Sequence, residues 1–323
     1  MKNTLTDVPG FRVGHATMLE AATGCTVILC PQNTVGAIDV RGGAPGTRES
    51  QVLQHHNVVE YVNAVVLSGG SAFGLGTADG VMRYLAERKI GHQTRSGVVV
   101  PIVPAAILFD FGIGQNDVFP DAEAAYNACK SAGSAQVAQG SVGAGTGAMI
   151  GAMMGKEFAT KGGIGSASMN LGGGLIVSAI VAVNAVGDVI DETGAIIAGL
   201  RTPPDGNSYM GALNALRTMR DQQVDGRSNT VIGAVATNGK LTKAQAYRVA
   251  QMAHDGIARA INPSHTLYDG DTIFALASGA IEDADATLIG VFAAEVMTQA
   301  IRNAVKAASS VDGVRLWDDI QAS

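Results

Sequence analysis

The segment Asp221–Thr237, DQQVDGRSNTVIGAVAT, changes character in its middle. Residues 221–229 are polar, carry the turn former Gly226, and read as a connection without regular structure. From Thr230 to Thr237 the chain is β-branched and apolar, so a strand starts abruptly at Thr230. Downstream, Thr242 with Gln245 forms a capping box. It opens a helix whose Ala246, Val249, Ala250, Ala253, Ile257 and Ala260 share one face. Thr272–Ala277 reads as a further strand and Phe292–Ala308 as a helix. Upstream lie a helix over Tyr209–Arg220, a Pro/Gly turn over Leu200–Ser208, and strands Leu175–Val183 and Val186–Ile190, joined near Asn184-Ala185. The first half adds strands Thr26–Leu29, Val35–Val40, Ala64–Leu67 and Val98–Val103, and helices Ala72–Arg88 and Asp121–Ser131. Mixed order without regular βαβ spacing favours α+β layers over a doubly wound sheet.

Composition bounds the function. Of 323 residues, 47% are apolar and 15% charged, the opposite of a disordered chain. Glycine, at 42 residues, is about twice its usual share, which suggests tight turns and close backbone approach. The net charge is −6 and no Lys or Arg run occurs, so nucleic acid is not an expected partner. Cys25, Cys30 and Cys129 have no metal-ligand spacing and read as buried thiols of a reducing compartment. The opening MKNTLTDVPGFRVGH lacks the apolar core of a signal peptide, and a cytoplasmic protein is expected. The apolar stretches 140–155 and 171–183 are shorter than the ~20 residues of a spanning helix, despite Gly151 and Gly155 at GxxxG spacing. They are expected in a soluble core.

Several motifs carry candidate chemistry. Gly143-Ala-Gly-Thr-Gly-Ala148 fits the loose GxGxxG/A dinucleotide fingerprint. The preceding 134–141 is a poor strand and 161–168 holds no acid, so packed glycines are expected there and no cofactor. Ser68-Gly69-Gly70, in LSGGSAFG, is a strand-to-helix turn whose backbone N–H groups form a candidate wall for a carbonyl or anionic oxygen. It does not satisfy GxSxG. His15, His55, His56, His92, His254 and His265 show no metal-ligand spacing, so no metal is expected. Asp269-Gly-Asp271 places two carboxylates on one side of a chain entering a strand, where proximity raises one pKa or demands a donor or cation. An Asp-Gly turn before a strand explains the same spacing, and a Thr at a strand start is commonplace.

Five blocks together resemble a known superfamily: Asp39–Arg48 (DVRGGAPGTR), Leu67–Gly74, Pro101–Ala106 (PIVPAA), Gly145-Thr-Gly147 with Lys161–Gly165 (KGGIG), and Asn229–Gly233 (NTVIG). This is the superfamily of the aminopeptidase DmpA, the β-peptidyl aminopeptidases and the nylon-oligomer hydrolase NylC. The resemblance implies an N-terminal-nucleophile-like fold of the DmpA/ornithine acetyltransferase type, a four-layer αββα sandwich formed by residues 1–323 as one hydrolase fold. It implies self-cleavage between Asn229 and Thr230 into residues 1–229 and 230–323, and assembly as a homotetramer. Thr230 becomes the nucleophile, Asn184 a donor to the oxyanion, and Lys161, Asp269 and Asp271 charged partners that tune and orient the new amine. Ser68, Gly69, Gly70 and Phe109 line the substrate pocket. Phe109 stands where relatives often carry a Tyr, and it lacks that hydroxyl. Thr with an Asp/Asp pair sides with the nylon-oligomer hydrolases, so the expected activity is hydrolysis inside linear amides. Two alternatives share the fold: an aminopeptidase acting on D-, L- or β-peptides, and an ornithine acetyltransferase-like acyl transfer. A non-enzymatic cofactor-binding protein built on Gly143–Ala148 is the alternative from another class.

Overall fold

A computed structural model of the chain describes residues 1–202, 206–218 and 229–321. Its main strands are β1 (Arg12–Met18), β2 (Thr23–Leu29), β3 (Val35–Val40), β4 (Thr47–Arg48), β5 (Ala64–Ser68), β6 (Ala105–Ile107), β7 (Gly163–Asn170), β8 (Ile176–Asn184), β9 (Thr230–Gly239) and β10 (Thr272–Ile281). The main helices are α1 (Thr77–Ala86), α2 (Ala122–Ser131), α3 (Ala212–Thr218), α4 (Lys243–Ala260) and α5 (Ala286–Lys306). One five-stranded sheet runs β1-β2-β5-β6-β4 and the other β7-β8-β9-β10-β3. Each sheet contains one parallel pair, β5/β6 and β9/β10, among antiparallel ones.

Side-chain alternation builds the layers. Successive residues of a strand face opposite sides, so a strand apolar at every position is buried on both faces. In β9, Val231 and Val235 pack towards α4 and α5, while Ile232, Ala234 and Ala236 pack towards the other sheet. β10 divides likewise, with Ile273, Ala275 and Ala277 on the helix side and Phe274 and Leu276 between the sheets. In the first sheet, Ile28, Val65 and Leu67 complete the inter-sheet core, and Cys25, Val27, Leu29, Ala64 and Val66 meet α1 and α2. The result is α/β/β/α, the expected four-layer α+β sandwich.

Several element boundaries differ from expectation, each for a local reason. Of Val98–Val103 only Val99–Val100 is strand. Pro101 and Pro104 cannot donate to a ladder, and pairing resumes at β6. The segment from Ala72 begins as a 3-10 turn, Ser71–Gly76, before α1. Helix α5 starts at Ala286, six residues earlier than expected, because the Asp285 side chain caps it through the Thr287 N–H. Strands β1, β4, β6 and β7 were not expected. The run of β7 (GIGSASMN) is small and polar because it lies under α5, where a Cβ on Gly165 would sit 2.0 Å from the Ala300 carbonyl oxygen. Asp188–Ile190 pairs not with β8 but in a small sheet with Ile196–Ala198 and Ile261–Asn262. The expected helix Tyr209–Arg220 is α3 as far as Thr218, and its last two residues lie outside the described residues, as do 203–205 of the expected turn and 221–228 of the polar connection. The capping box of Thr242 and Gln245 is present. Cys25 and Cys129 are buried, Cys30 is half-buried, and all three are unpaired. Among the described residues no helix is long and apolar enough to cross a membrane.

Candidate active site

Thr230 is the first residue of β9, in the middle of the second sheet, and is buried. Antiparallel register sets it opposite Asn184, the last residue of β8. On its other side β9 and β10 run parallel, with Ile232 level with Thr272. Two residues back along both strands, that register brings Asp269-Gly-Asp271 beside Asn229-Thr230, and an isolated bridge joins Asn229 to Asp269. The topology therefore unites the two segments that spacing alone left ambiguous. The Thr230 hydroxyl donates to the carbonyl oxygen of Asn229, directly against the peptide that joins the two residues. Gly270 passes so close that a Cβ on it would lie 2.8 Å from Thr230 Oγ1.

The two carboxylates are each held by three donors. Asp269 Oδ2 accepts from the Thr266 N–H (3.0 Å) and hydroxyl (2.6 Å), and Oδ1 accepts from the Val186 N–H (3.4 Å). Burial, and then the neighbouring Asp271 charge, push the Asp269 carboxyl up to about 6. Asp271 Oδ1 accepts from the N–H of Val231, the residue after Thr230, at 2.9 Å. Its Oδ2 accepts from both the N–H (3.1 Å) and Nδ1 (2.7 Å) of His265. Sequence reasoning did not single out His265. The available signal was its position in the same short loop as the two acids.

Asn184 and Lys161 reach the site through a second set of ladders. Lys161 pairs with Met149 in a short two-stranded ribbon. The Met149 N–H donates to Asn184 Oδ1 (2.8 Å), and Asn184 Nδ2 donates to the Phe109 carbonyl (2.8 Å). The amide side chain is thus fixed in orientation beside Thr230. Residue 109 contributes its main chain, while its ring is half-buried edge-on to Phe111. Lys161 is fully buried, and Nζ donates to the carbonyls of Gly145 (3.1 Å), Ala148 (2.8 Å) and Gly162 (2.9 Å). Three donated bonds require an ammonium. Burial pushes its pKa down to about 7, opposed by the charge of Asp110.

That cradle explains the glycine motif. Carbonyls of the Gly143–Ala148 loop point at a cation, whereas a phosphate site needs N–H groups. The loop is buried packing, as the sequence led one to expect. Asp110, which sequence reasoning missed, is the acid behind Lys161. It accepts from the Gly70 N–H (2.7 Å) and the Thr23 hydroxyl (2.7 Å), and burial pushes it up to about 6. A Cβ on Gly69 would lie 2.0 Å from Asp110 Oδ2, and one on Gly147 2.7 Å from Asp110 Cβ, so both glycines make room for this acid. A lone acid inside the apolar run Ile107–Phe111 was its sequence signal.

The Ser68–Gly70 turn differs from expectation. Its N–H groups are spent internally: Gly69 donates to Gly24, Gly70 to Asp110, and Ser71 to Leu108. Buried Ser68 donates to the Gly69 carbonyl. The turn therefore supports Asp110 and does not present an open wall of donors. Of the other histidines, His15 is bonded to Thr26 and pushed down to about 4 by burial, and His55, His56 and His92 are exposed. Among the described residues no group of three or more His, Cys, Asp or Glu is placed to hold a metal ion.

A buried hydroxyl against a carbonyl, flanked by an oriented amide and two carboxylates, has the parts for nucleophilic attack on a carbonyl. A sequence model of peptidase family S58 matches residues 3–316. The chain is 43% identical to an uncharacterized aminopeptidase of Mycobacterium leprae, covering 97% of this chain and 92% of that one. It is 31% identical to a 6-aminohexanoate-oligomer endohydrolase of Kocuria sp. (strain KY2), covering 93% and 85%. The L-aminopeptidase D-Ala-esterase/amidase of Ochrobactrum anthropi, described as a variant of the Ntn-hydrolase fold, superposes with a TM-score of 0.72 at 20% identity, covering 97% of this chain and 88% of that one.

Proposed function

Because the chain belongs to peptidase family S58 and is a hydrolase of amide bonds, we propose that it severs its own Asn229–Thr230 peptide and then uses Thr230 as an N-terminal nucleophile on linear amides. The observation that carries this reading is the Thr230 hydroxyl seated on the Asn229 carbonyl at the buried start of β9. In the first reaction Oγ1 attacks that carbonyl carbon, the C–N bond breaks as its nitrogen takes up the proton, and an ester links the two residues. Water then cleaves the ester, leaving a carboxylate on Asn229 and a free amine on Thr230.

In turnover the neutral amine takes the Oγ1 proton as the oxygen adds to the substrate carbonyl. Its reference pKa is about 7.7–8.0, so a modest downward push by a nearby cation leaves much of it neutral at pH 7. Lys161 supplies that cation, and Asn184 Nδ2 is the donor to the oxyanion. The leaving amine departs with the proton, and a second water releases the acyl group.

Cleavage within linear amides, as in the relative named a 6-aminohexanoate-oligomer endohydrolase, is favoured over removal of N-terminal residues. An aminopeptidase needs a carboxylate for the substrate ammonium. Asp269 and Asp271 each already take three internal donors. The second reading, aminopeptidase action, rests on the name of the 43% identical relative. Rates on free-amine and N-acetylated 6-aminohexanoate oligomers separate the two, because an endo-acting enzyme cleaves both and an aminopeptidase only the first. Intact mass tests the nucleophile itself: two chains are expected from wild type and one from Thr230→Ala.

A further inference from the structure

The geometry points to His265 as a positioning residue that sets the nucleophile through Asp271, an assignment that rests on Thr230 being the nucleophile. One carboxylate oxygen, Asp271 Oδ2, receives both the backbone N–H and the ring Nδ1 of His265. That double grip leaves Oδ1 for the N–H of Val231, next to Thr230. Asp271 is also held by its own carbonyl, which accepts from the N–H groups of Arg41 (3.0 Å) and Gly42 (3.3 Å). The carboxylate that fixes the start of β9 is thus gripped from two loops.

The tautomer follows from the surroundings. A carboxylate only accepts, so Nδ1 carries the proton. His265 Nε2 is buried without a hydrogen-bond partner among the described residues, and a proton there would bury an unsatisfied donor. The ring is steadied by His254, whose ring meets it edge-on at 4.8 Å. His254 comes from α4, and its Nε2 contacts the Asp39 carbonyl at 3.1 Å, while the Asp39 carboxylate pairs with Arg41 at 2.9 Å. The backbone of His265 is left-handed, with φ of 56°. Such a conformation in a residue with a Cβ persists where surrounding contacts over-determine it, and it gathers at functional sites. Here it is accompanied by the convergence of two donors of one residue on one oxygen.

The test uses the full-length protein and the rate at which the precursor divides, so no substrate has to be assumed. His265→Phe keeps the ring shape and the packing on His254 but removes the Nδ1 donor. His265→Asn restores a side-chain donor near that place and tolerates positive φ. Small misplacements of a nucleophile cost up to about 10²-fold. His265→Phe is expected to slow self-cleavage by about that factor, and His265→Asn to recover to within about tenfold of wild type. In an Asp271→Asn background His265→Phe should add nothing, because its path of action is gone. Wild-type cleavage in His265→Phe, equal slowing in His265→Asn, or multiplying effects in the double variant would overturn the role. Two chains from Thr230→Ala, or none from wild type, would overturn the nucleophile reading and this role with it.

Discussion

Gly270→Ala is a one-carbon test of how tightly the acid loop holds the Thr230 side chain. Gly270 is absent from the left-handed backbone positions of the chain, so alanine is conformationally acceptable there. The added Cβ would meet Thr230 Oγ1 at 2.8 Å, the Ala44 carbonyl oxygen at 2.9 Å and Thr230 Cγ2 at 3.1 Å. Ordinary contact begins near 3.4 Å. Ala44 does not yield easily, since its N–H is bonded to the Asp269 carbonyl at 2.9 Å. The Thr230 side chain must therefore move by about half an ångström, away from the Asn229 carbonyl or out of its rotamer. Overpacking of this kind destabilises by about 1–3 kcal/mol, and a reacting atom displaced by up to ~1 Å loses as much as ~10²-fold in rate. Time courses of precursor mass, with a thermal melt of the same samples, read both effects. Gly76→Ala is the control: it has open space and φ of −65°, so it should leave both unchanged or raise stability slightly. Gly270→Ala dividing at the wild-type rate would refute the close packing of the loop on Thr230.

Other variants probe the remaining parts. Asn184→Ala removes the proposed oxyanion donor and should lower turnover by about 10²–10³-fold; it also strands the Met149 N–H, with a loss of about 1–3 kcal/mol read by denaturant melt. Asp110→Asn keeps an acceptor for Gly70 but withdraws the charge facing Lys161, so the ammonium is held less firmly. It should fold with a melting temperature at pH 8 no lower than wild type, yet turn over amide substrates more slowly. For pH, the Asp269 carboxyl is pushed from 3.8 up to about 6 in the folded chain. Between those values the folded state binds more protons than the unfolded one, so this group's contribution to stability falls as pH rises and is level above about 6.5. The stability of Asp269→Asn relative to wild type should accordingly climb from pH 4 to 6 and then flatten, as read by chemical denaturation across pH.

The sequence resolves what is local and leaves what is assembled at a distance. The abrupt start at Thr230, the strand β3 and the capping box of Thr242 are legible because their signals fall within a few neighbouring residues. Strand β7 is not, because packing under α5 demands small residues where β-propensity would ask for branched ones. The spacing of Asp269-Gly-Asp271 could be noted but, without the family resemblance, not interpreted, since its position beside Thr230 comes from the parallel register of β9 with β10. The Gly143–Ala148 loop showed its glycines, but its carbonyl cage appears only when Lys161 is placed inside it. Asp110 and His265 were overlooked for the same reason: one is explained by Gly69, Gly70 and Thr23, the other by Asp271 and His254, and those partnerships are matters of tertiary contact.

The mass spectrum of the purified full-length protein, beside those of Thr230→Ser and Thr230→Ala, bears most directly on the whole account. Wild type should give two species corresponding to residues 1–229 and 230–323, Thr230→Ser the same pair, and Thr230→Ala a single uncut chain without amidase activity. An active wild type that remains one chain, or an alanine variant that divides, would contradict it.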